Sequence, residues 1–394
     1  MDLALTAHQE MQAQERLDRF KDSEAGPIPD DWEAVYVEDI ASITTGSRNT
    51  QDRVAGGTYP FYVRSQNVER INSYSFDTEA VLTAGDGVGT GKIFHYIDGK
   101  FDVHQRVYVM SDFSDRISGY FFYLVFASKF YDRIMQMTAK SSVDSVRRDM
   151  VARMAIPLPP VREQVGIVEA LMDADSLIVA LEKLIEKKRL IRQGAMQELL
   201  SGRCRVPGFK GEWQEKTIKQ IADCLDNLRE PLSGSQRMTM RGPYPYCGAN
   251  GVLDYIDSYA IEDDVILIAE DGGHFDEYDT RPIAYRMSGR FWVNNHAHIL
   301  KAREGYSQDF LFYSLVHKDI RPFLASGTRA KLNKSEMYKI TVRLPSDERE
   351  QDAIAEILAH MDSELDVLEA RLEKGRQIRE GMMQELLTGR VRLV

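Results

Sequence analysis

The chain has 394 residues, 43% hydrophobic and 28% charged, with a formal net charge of −11. That length and apolar content suffice for two domains with full cores, and the chain reads as globular, with no low-complexity tract. Cys204, Cys224 and Cys247 are odd in number and lack metal-ligand spacing, the first residues carry no basic stretch ahead of an apolar run, and the longest apolar run, 120–127, is too short to span a bilayer. A reducing, cytoplasmic setting without a membrane is expected.

In chain order, residues 1–29 read as an N-terminal helical extension whose acidic, Gln-rich stretch 7–20 forms a helix. Residues 30–155 read as a compact mixed α/β domain, with short β-rich runs at 79–82 and 92–96 and an apolar helix at 120–137. Residues 156–206 form a first helix region. Residues 207–345 repeat the mixed pattern, with strands at 265–269 and 297–300 and a helix at 309–324, and residues 346–394 form a second helix region.

The helix regions are a duplication. Residues 162–203 and 349–390 match without a gap at a spacing of 187, and the ending Met196-Gln197-Glu198-Leu199-Leu200-Ser201-Gly202-Arg203 recurs as Met383-Gln384-Glu385-Leu386-Leu387-Thr388-Gly389-Arg390. With Gln164 at heptad position a, Leu171, Ile178, Ile185 and Leu199 fall at a and Ile167, Ala174, Leu181 and Ala195 at d, and the second copy keeps the register. Both seams falter at the same places, Lys188 and Arg192 against Gly375 and Arg379, so something other than simple coiled-coil packing acts there. Asp347 and Glu350 are spaced for a capping box, and Gly202 and Gly389 for C-terminal caps. About 40 residues give a rod of roughly 60 Å. The expected fold is a mixed α+β chain of two tandem domains alternating with two long helices, which pair as an antiparallel coiled coil with approximate two-fold symmetry. Such a chain suits a two-fold partner such as duplex DNA.

The domains repeat more weakly. Trp32 corresponds to Trp213, Gly57–Phe61 to Gly242–Tyr246, Ala84-Gly85-Asp86-Gly87 to Ala269-Glu270-Asp271-Gly272, and Phe101-Asp102-Val103 to Phe291-Trp292-Val293. By count, the net charge is about −3 over residues 1–29 and about −5 after residue 345, so the acidity lies mainly at the termini. The domains themselves are near neutral. This lowers the expectation for a free-standing DNA binder but fits a DNA reader whose phosphate attraction comes largely from basic partners.

The run Ile156-Pro157-Leu158-Pro159-Pro160-Val161-Arg162-Glu163-Gln164, its counterpart from Leu344 to Gln351, and the two Gln-Glu-Leu-Leu-(Ser/Thr)-Gly-Arg endings resemble the specificity subunits of Type I restriction-modification systems, from Trp32 to Arg390. The resemblance implies two target-recognition domains, each reading half of a bipartite site in double-stranded DNA. It implies helices that space them and dock two modification subunits, which bind S-adenosylmethionine and methylate adenine, and restriction subunits that join as a translocating nuclease. On this reading the chain is non-catalytic and holds no cofactor or metal. Lys188, Arg192, Gln197, Glu198, Arg379, Gln384 and Glu385 are candidate docking residues.

Motifs for chemistry of its own are weak. Asp86 to Lys92 superficially suggests a phosphate loop, but Asp86 stands where the first glycine belongs and Ile93 replaces the magnesium-binding Ser or Thr. Asp271, His274, His296 and His298 include a His-x-His spacing, yet their counterparts Arg106 and Tyr108 are not ligands, and a satisfied or DNA-facing pair is the favoured reading. No methyltransferase or nuclease signature is present, which disfavours the alternative of a stand-alone DNA-modifying enzyme. Loop Arg and Asn clusters disfavour the other alternative, a coiled-coil protein scaffold.

Base readout needs Arg, Asn or Gln at loop tips, with Lys mostly on phosphate. The candidates are Arg48, Asn49, Arg53, Arg64, Gln66, Asn67, His104, Gln105, Arg106, Lys140, Ser141, Ser142 and Arg147 in the first domain. In the second they are Arg237, Arg241, Asn250, Asn294, Asn295, His296, His298, Arg329, Lys331, Asn333 and Lys334. The clusters 104–106 and 294–296 rank highest, because an otherwise apolar strand turns polar at equivalent positions.

Overall fold

A computed structural model describes residues 20–87, 89–137, 145–325 and 330–393. The expected helix at 7–20 thus lies almost wholly outside the described residues, as do Lys140, Ser141, Ser142 and Arg329. Two compact units divide the chain, one made of residues up to 181 together with those from 371, the other of residues 182–370.

In the first unit a six-stranded sheet runs in the order Ser42–Thr45, Val107–Ser111, Phe76–Ala84, Phe94–Val103, Tyr59–Tyr62, Glu69–Ile71. The expected strand at 92–96 starts at Phe94, because the Lys92 backbone N–H donates to Gly89 O in a turn. The helix Gly119–Gln136 begins where the Ser118 hydroxyl caps Phe121 N, and it buries Phe122, Phe126 and Phe130 as a stack with centroids 5.4 and 4.4 Å apart. Truncating one such ring to Ala costs about 3–5 kcal/mol. Strand Ala155–Leu158 pairs antiparallel with Glu33–Tyr36. The β structure of the first unit thus extends to Leu158.

The second unit repeats this plan with the two longest strands each broken in two. One sheet orders Ala222–Cys224, Ala297–Ala302, Val265–Ala269, Ala284–Met287, and another Gly251–Ile256, Arg241–Gly248, Arg290–Val293, Ile261–Glu262. Asp263-Asp264 and Ser288-Gly289, the glycine at φ 80°, interrupt two strands that run unbroken in the first unit. The parallel pair Phe61–Asp102, Tyr62–Val103 has its counterpart in Tyr246–Trp292, Cys247–Val293, in the register of the sequence repeat. The expected helix at 309–324 stops at Leu315. Asp319 bonds the Arg321 backbone, and Pro322 then opens a short 3-10 turn, since proline has no N–H to extend a helix.

The long helices span Val161–Leu200 and Glu348–Leu386. Each contributes to both units, and within each unit they run antiparallel. In the first, Ile167 and Leu171 share a core with Leu386 and Leu387; in the second, Met196 and Leu199 share one with Ile354 and Leu358. Three of the four faltering seam positions, all but Gly375, carry ion pairs. Arg379 is bidentate to Asp175 at 2.7 and 3.2 Å, its counterpart Arg192 bonds Asp362, and Lys188 reaches Glu364 at 2.6 Å. Gly202 and Gly389 both close their helices at φ 70°, and a Cβ there would meet Trp213 at 2.9 Å and Pro29 at 2.4 Å respectively. The expected capping box gives way to other partners. Asp347 accepts from Arg349 N, while both oxygens of Glu350 are taken by Arg205, 2.6 and 2.7 Å away.

A carboxylate just inside each long helix anchors its unit. Glu163, fully buried, accepts from the Trp32 indole at 3.0 Å and from Arg392 at 2.6 and 2.8 Å, and Arg392 also grips Asp31. The next residue, Gln164, accepts from Ser118 N and donates to Pro159 O. Gln351 does the same with Ser307 N and Pro345 O.

Candidate nucleic-acid interface

In the first unit the turn from 104 to 106 joins strands Phe94–Val103 and Val107–Ser111. The buried His104 ring holds it through Nδ1, which accepts from Arg106 N at 3.0 Å, and Gly85 N donates to Arg106 O at 2.8 Å. Burial, then the Arg64 guanidinium nearby, push the His104 pKa below its ordinary value, so this ring acts as a neutral acceptor inside the turn and not as a cation for phosphate. Arg106 leaves the turn outward and meets Asp86 at 2.9 Å, and Arg64 meets the other oxygen of the same carboxylate at 2.7 Å.

The neighbouring candidates sort into bound and open. Arg48 is tied to the buried Asp102 at 3.0 Å and to Ser73, and Arg53 pairs with Glu69. Asn49 and Gln105 meet at 2.7 Å. Gln66, Asn67 and Arg147 are exposed. Lys92 of the superficial phosphate loop lies over the Tyr131 ring, 4.8 Å from its centroid.

The second unit has the same turn. Asn294 is buried, and its side-chain oxygen accepts from His296 N at 2.8 Å, as His104 accepts from Arg106. Glu270 N donates to His296 O at 2.8 Å, and the ring Nδ1 of His296 lies 2.8 Å from Asp271. Asn250 donates to Gly272 O of the Asp-Gly turn, and Lys331 pairs with Glu270 at 2.8 Å while its backbone bridges to Asp271. Asn295, Asn333, Lys334 and Arg241 are exposed, whereas Arg237 donates to Leu232 O and packs on Tyr246.

His298 does not join His296. It is buried, with Nδ1 2.7 Å from Asp226 and Nε2 2.8 Å from Leu332 O. Cys224, Asp226 and His298 bring possible ligand atoms within 4.8 Å of one another, a trio that sequence spacing hides. Arg229 stands 3.1 Å from Asp226 and also bonds Glu270, so the local positive charge comes from side chains and the trio reads as part of a buried ion network. Burial pushes Asp226 and Glu270 up, but bonds from His298 to the first and from Lys331 and Arg229 to the second outweigh it and hold both carboxyls below their ordinary values.

Of the candidate docking residues, Lys188, Arg192 and Arg379 are engaged between the helices as described. Gln197 and Gln384 are exposed, Glu198 pairs with Arg203 at 3.0 Å, and Glu385 lies 3.7 Å from Arg390. Sequence reasoning missed the carboxylates Asp86 and Glu270 as partners of loop cations. The repeated Asp-Gly turn was the signal that could have found Asp86, whereas Glu270 falls opposite Gly85 and had no such signal.

A family model described as Type I restriction modification DNA specificity domain matches residues 29–191 and again 210–374. A relative from Haemophilus influenzae is 35% identical, aligned over 36% of this chain and 34% of that protein. The type I restriction enzyme EcoDI specificity subunit of Escherichia coli is 25% identical over 53% of this chain and 52% of its own length. The alignments thus span about a third and about half of these two relatives. The MjaVIII specificity subunit of Methanocaldococcus jannaschii is 24% identical over 95% of this chain and 96% of its own. In fold, the chain is similar to a crystal structure of a type I restriction-modification S subunit from M. genitalium, with TM-score 0.64, 18% identity, and coverage of 90% of this chain and 96% of that one. With the domain matched twice over most of its length, the chain belongs to the Type I restriction modification DNA specificity family.

Proposed function

We propose that this chain is the DNA-sequence-recognition subunit of a Type I restriction-modification complex and carries no chemistry of its own. Each unit reads one half of a bipartite duplex site through the loops around 86 and 104–106, or 271 and 294–296. The observation that carries this reading is the repeated turn, which sets Arg106 and His296 at equivalent places, each beside the aspartate of the same Asp-Gly motif. Two modification subunits dock on the long helices and bring S-adenosylmethionine for adenine methylation; restriction and translocation subunits join that complex in the cytoplasm. Outward-facing Gln197 and Gln384 and the exposed apolar side chains Leu190, Ile191, Val367 and Ile378 support docking on the helices.

Purifying the chain with and without the products of its neighbouring genes, and assaying S-adenosylmethionine-dependent adenine methylation of duplex DNA, tests this. Sequence-specific methylation is expected only with the partners. Methylation by the chain alone would make it a stand-alone enzyme, and a partnered complex indifferent to DNA would make it a scaffold.

A further inference from the structure

The geometry points to Asp86 as a positioning residue that presents Arg64 and Arg106 together as a guanine reader, so that the half-site read by the first unit contains guanine. This rests on the DNA-reading function proposed above and deepens it. Asp86 gives one oxygen to Nη1 of each arginine, at 2.7 and 2.9 Å. Spending only Nη1 leaves each guanidinium its Nε–Nη2 edge, two parallel donors matched to O6 and N7 of guanine in the major groove. The side chains of Arg64 and Arg106 are 42% and 62% exposed, while Asp86 is only 19% exposed. The buttress is thus set back and the reading groups stand forward.

The support is built from the backbone outward. Asp86 pairs through its main chain with Ser145 and is followed by Gly87 at φ 96°; Arg106 is fixed at N by His104 and at O by Gly85. A reading side chain is most selective when its own supports fix its direction. Stability alone does not account for the arrangement. Exposed ion pairs contribute little to stability, and ordering two long side chains on one carboxylate opposes even that.

The second unit supplies independent support. The three equivalent contacts recur there, His296 N donating to the Asn294 side-chain oxygen, Glu270 N donating to His296 O, and Asp271 meeting the basic side chain, but the side chain itself is an imidazole. A constant mount carrying a different tip is the pattern expected where the tip encodes sequence.

The test uses the full-length chain in complex with its neighbouring-gene products, because those partners supply most of the attraction to phosphate. Duplexes are selected from a randomised pool by wild type, then binding of the enriched site and of a scrambled duplex is measured for Arg64→Ala, Arg106→Ala, Arg106→Lys and Asp86→Asn, with melting temperatures alongside. Guanine is expected at a fixed place in one half. Replacing it with 7-deazaguanine, which lacks N7 but keeps O6, should weaken wild type by roughly 10- to 150-fold, the range for losing one hydrogen bond from a charged donor, and should weaken no further whichever of Arg106→Ala and Arg64→Ala has lost the reading fork. Arg106→Lys keeps the charge without the fork and should lose discrimination as Ala does. Asp86→Asn should reduce the preference for the selected site while binding scrambled DNA at least as tightly and melting unchanged. Equal losses on selected and scrambled duplexes for the arginine variants would assign them to phosphate and overturn the inference, as would a selected site without guanine in the altered half. A wild-type complex that enriches no sequence would overturn the underlying reading itself, whatever the variants do.

Discussion

Arg392→Met probes how the first unit is anchored to its long helix. Glu163 is fully buried, and its two oxygens are held by the Nε and Nη2 of Arg392 and by the Trp32 indole. Removing one partner of a buried pair costs about 3–5 kcal/mol, because the remaining charge keeps its desolvation penalty. Arg392 is 27% exposed, so water reaches the vacated position, and the lower end, about 3 kcal/mol, is expected. That is roughly a hundredfold rise in the local opening equilibrium. Hydrogen exchange of the segment 161–171 in the full-length chain reads it directly. Adding Glu163→Gln, which removes the stranded charge while leaving an oxygen for Trp32, should recover all but about 1 kcal/mol. A change below about 1 kcal/mol in the single variant, the range of a surface ion pair, would refute the reasoning.

Acid should loosen the ion networks. Asp31, Asp226 and Glu270 have folded pKa values held below their ordinary ones, so their stabilisation is complete above the unfolded carboxylate range and is lost as pH falls below about 4. Thermal melts from pH 7 to 3 should show this limb, shallower in Glu270→Gln, and a melting temperature flat across that range would contradict it. Asn294→Ala leaves His296 N without its acceptor and should lose about 1–3 kcal/mol of stability and weaken binding to every duplex, whereas exposed Asn295→Ala should change stability by no more than about 0.5 kcal/mol. Calorimetry of both variants decides, and an Asn294→Ala chain of unchanged stability would return that amide to the reading surface. Exchanging residues 30–158 for those of a relative, so that strand Ala155–Leu158 travels with its partner Glu33–Tyr36, should change one half of the methylated sequence only. Changes in both halves would mean that the units read DNA jointly.

What the sequence revealed followed from periodicity and repetition. Heptad spacing located the seam, since every assigned a and d position from Gln164 to Leu199 is buried or half-buried. The same logic flagged Lys188, Arg192 and Arg379 as anomalies but could not supply their partners, because Asp362 and Asp175 are about 170 and 204 residues away in the chain. Loop readout was less legible for the same reason. His104 and Asn294 look like polar reading groups in a string of residues, and only the fold shows them turned inward to hold a backbone N–H. Arg48 likewise meets its counter-ion Asp102 on a different strand. Pairings across the fold decide which cations are spent on structure, and the local pattern carries no trace of them.

The central claim is that two units of one non-catalytic chain each read half of a DNA site. Sequencing the duplexes that the full-length chain enriches from a randomised pool, alone and with its neighbouring-gene products, tests it most directly. The account predicts two short fixed blocks separated by a gap of constant length and arbitrary sequence, with substitutions at Arg64 or Arg106 altering one block and substitutions at His296 the other. A single block, or a pool that emerges from the partnered complex as random as it began, would contradict it.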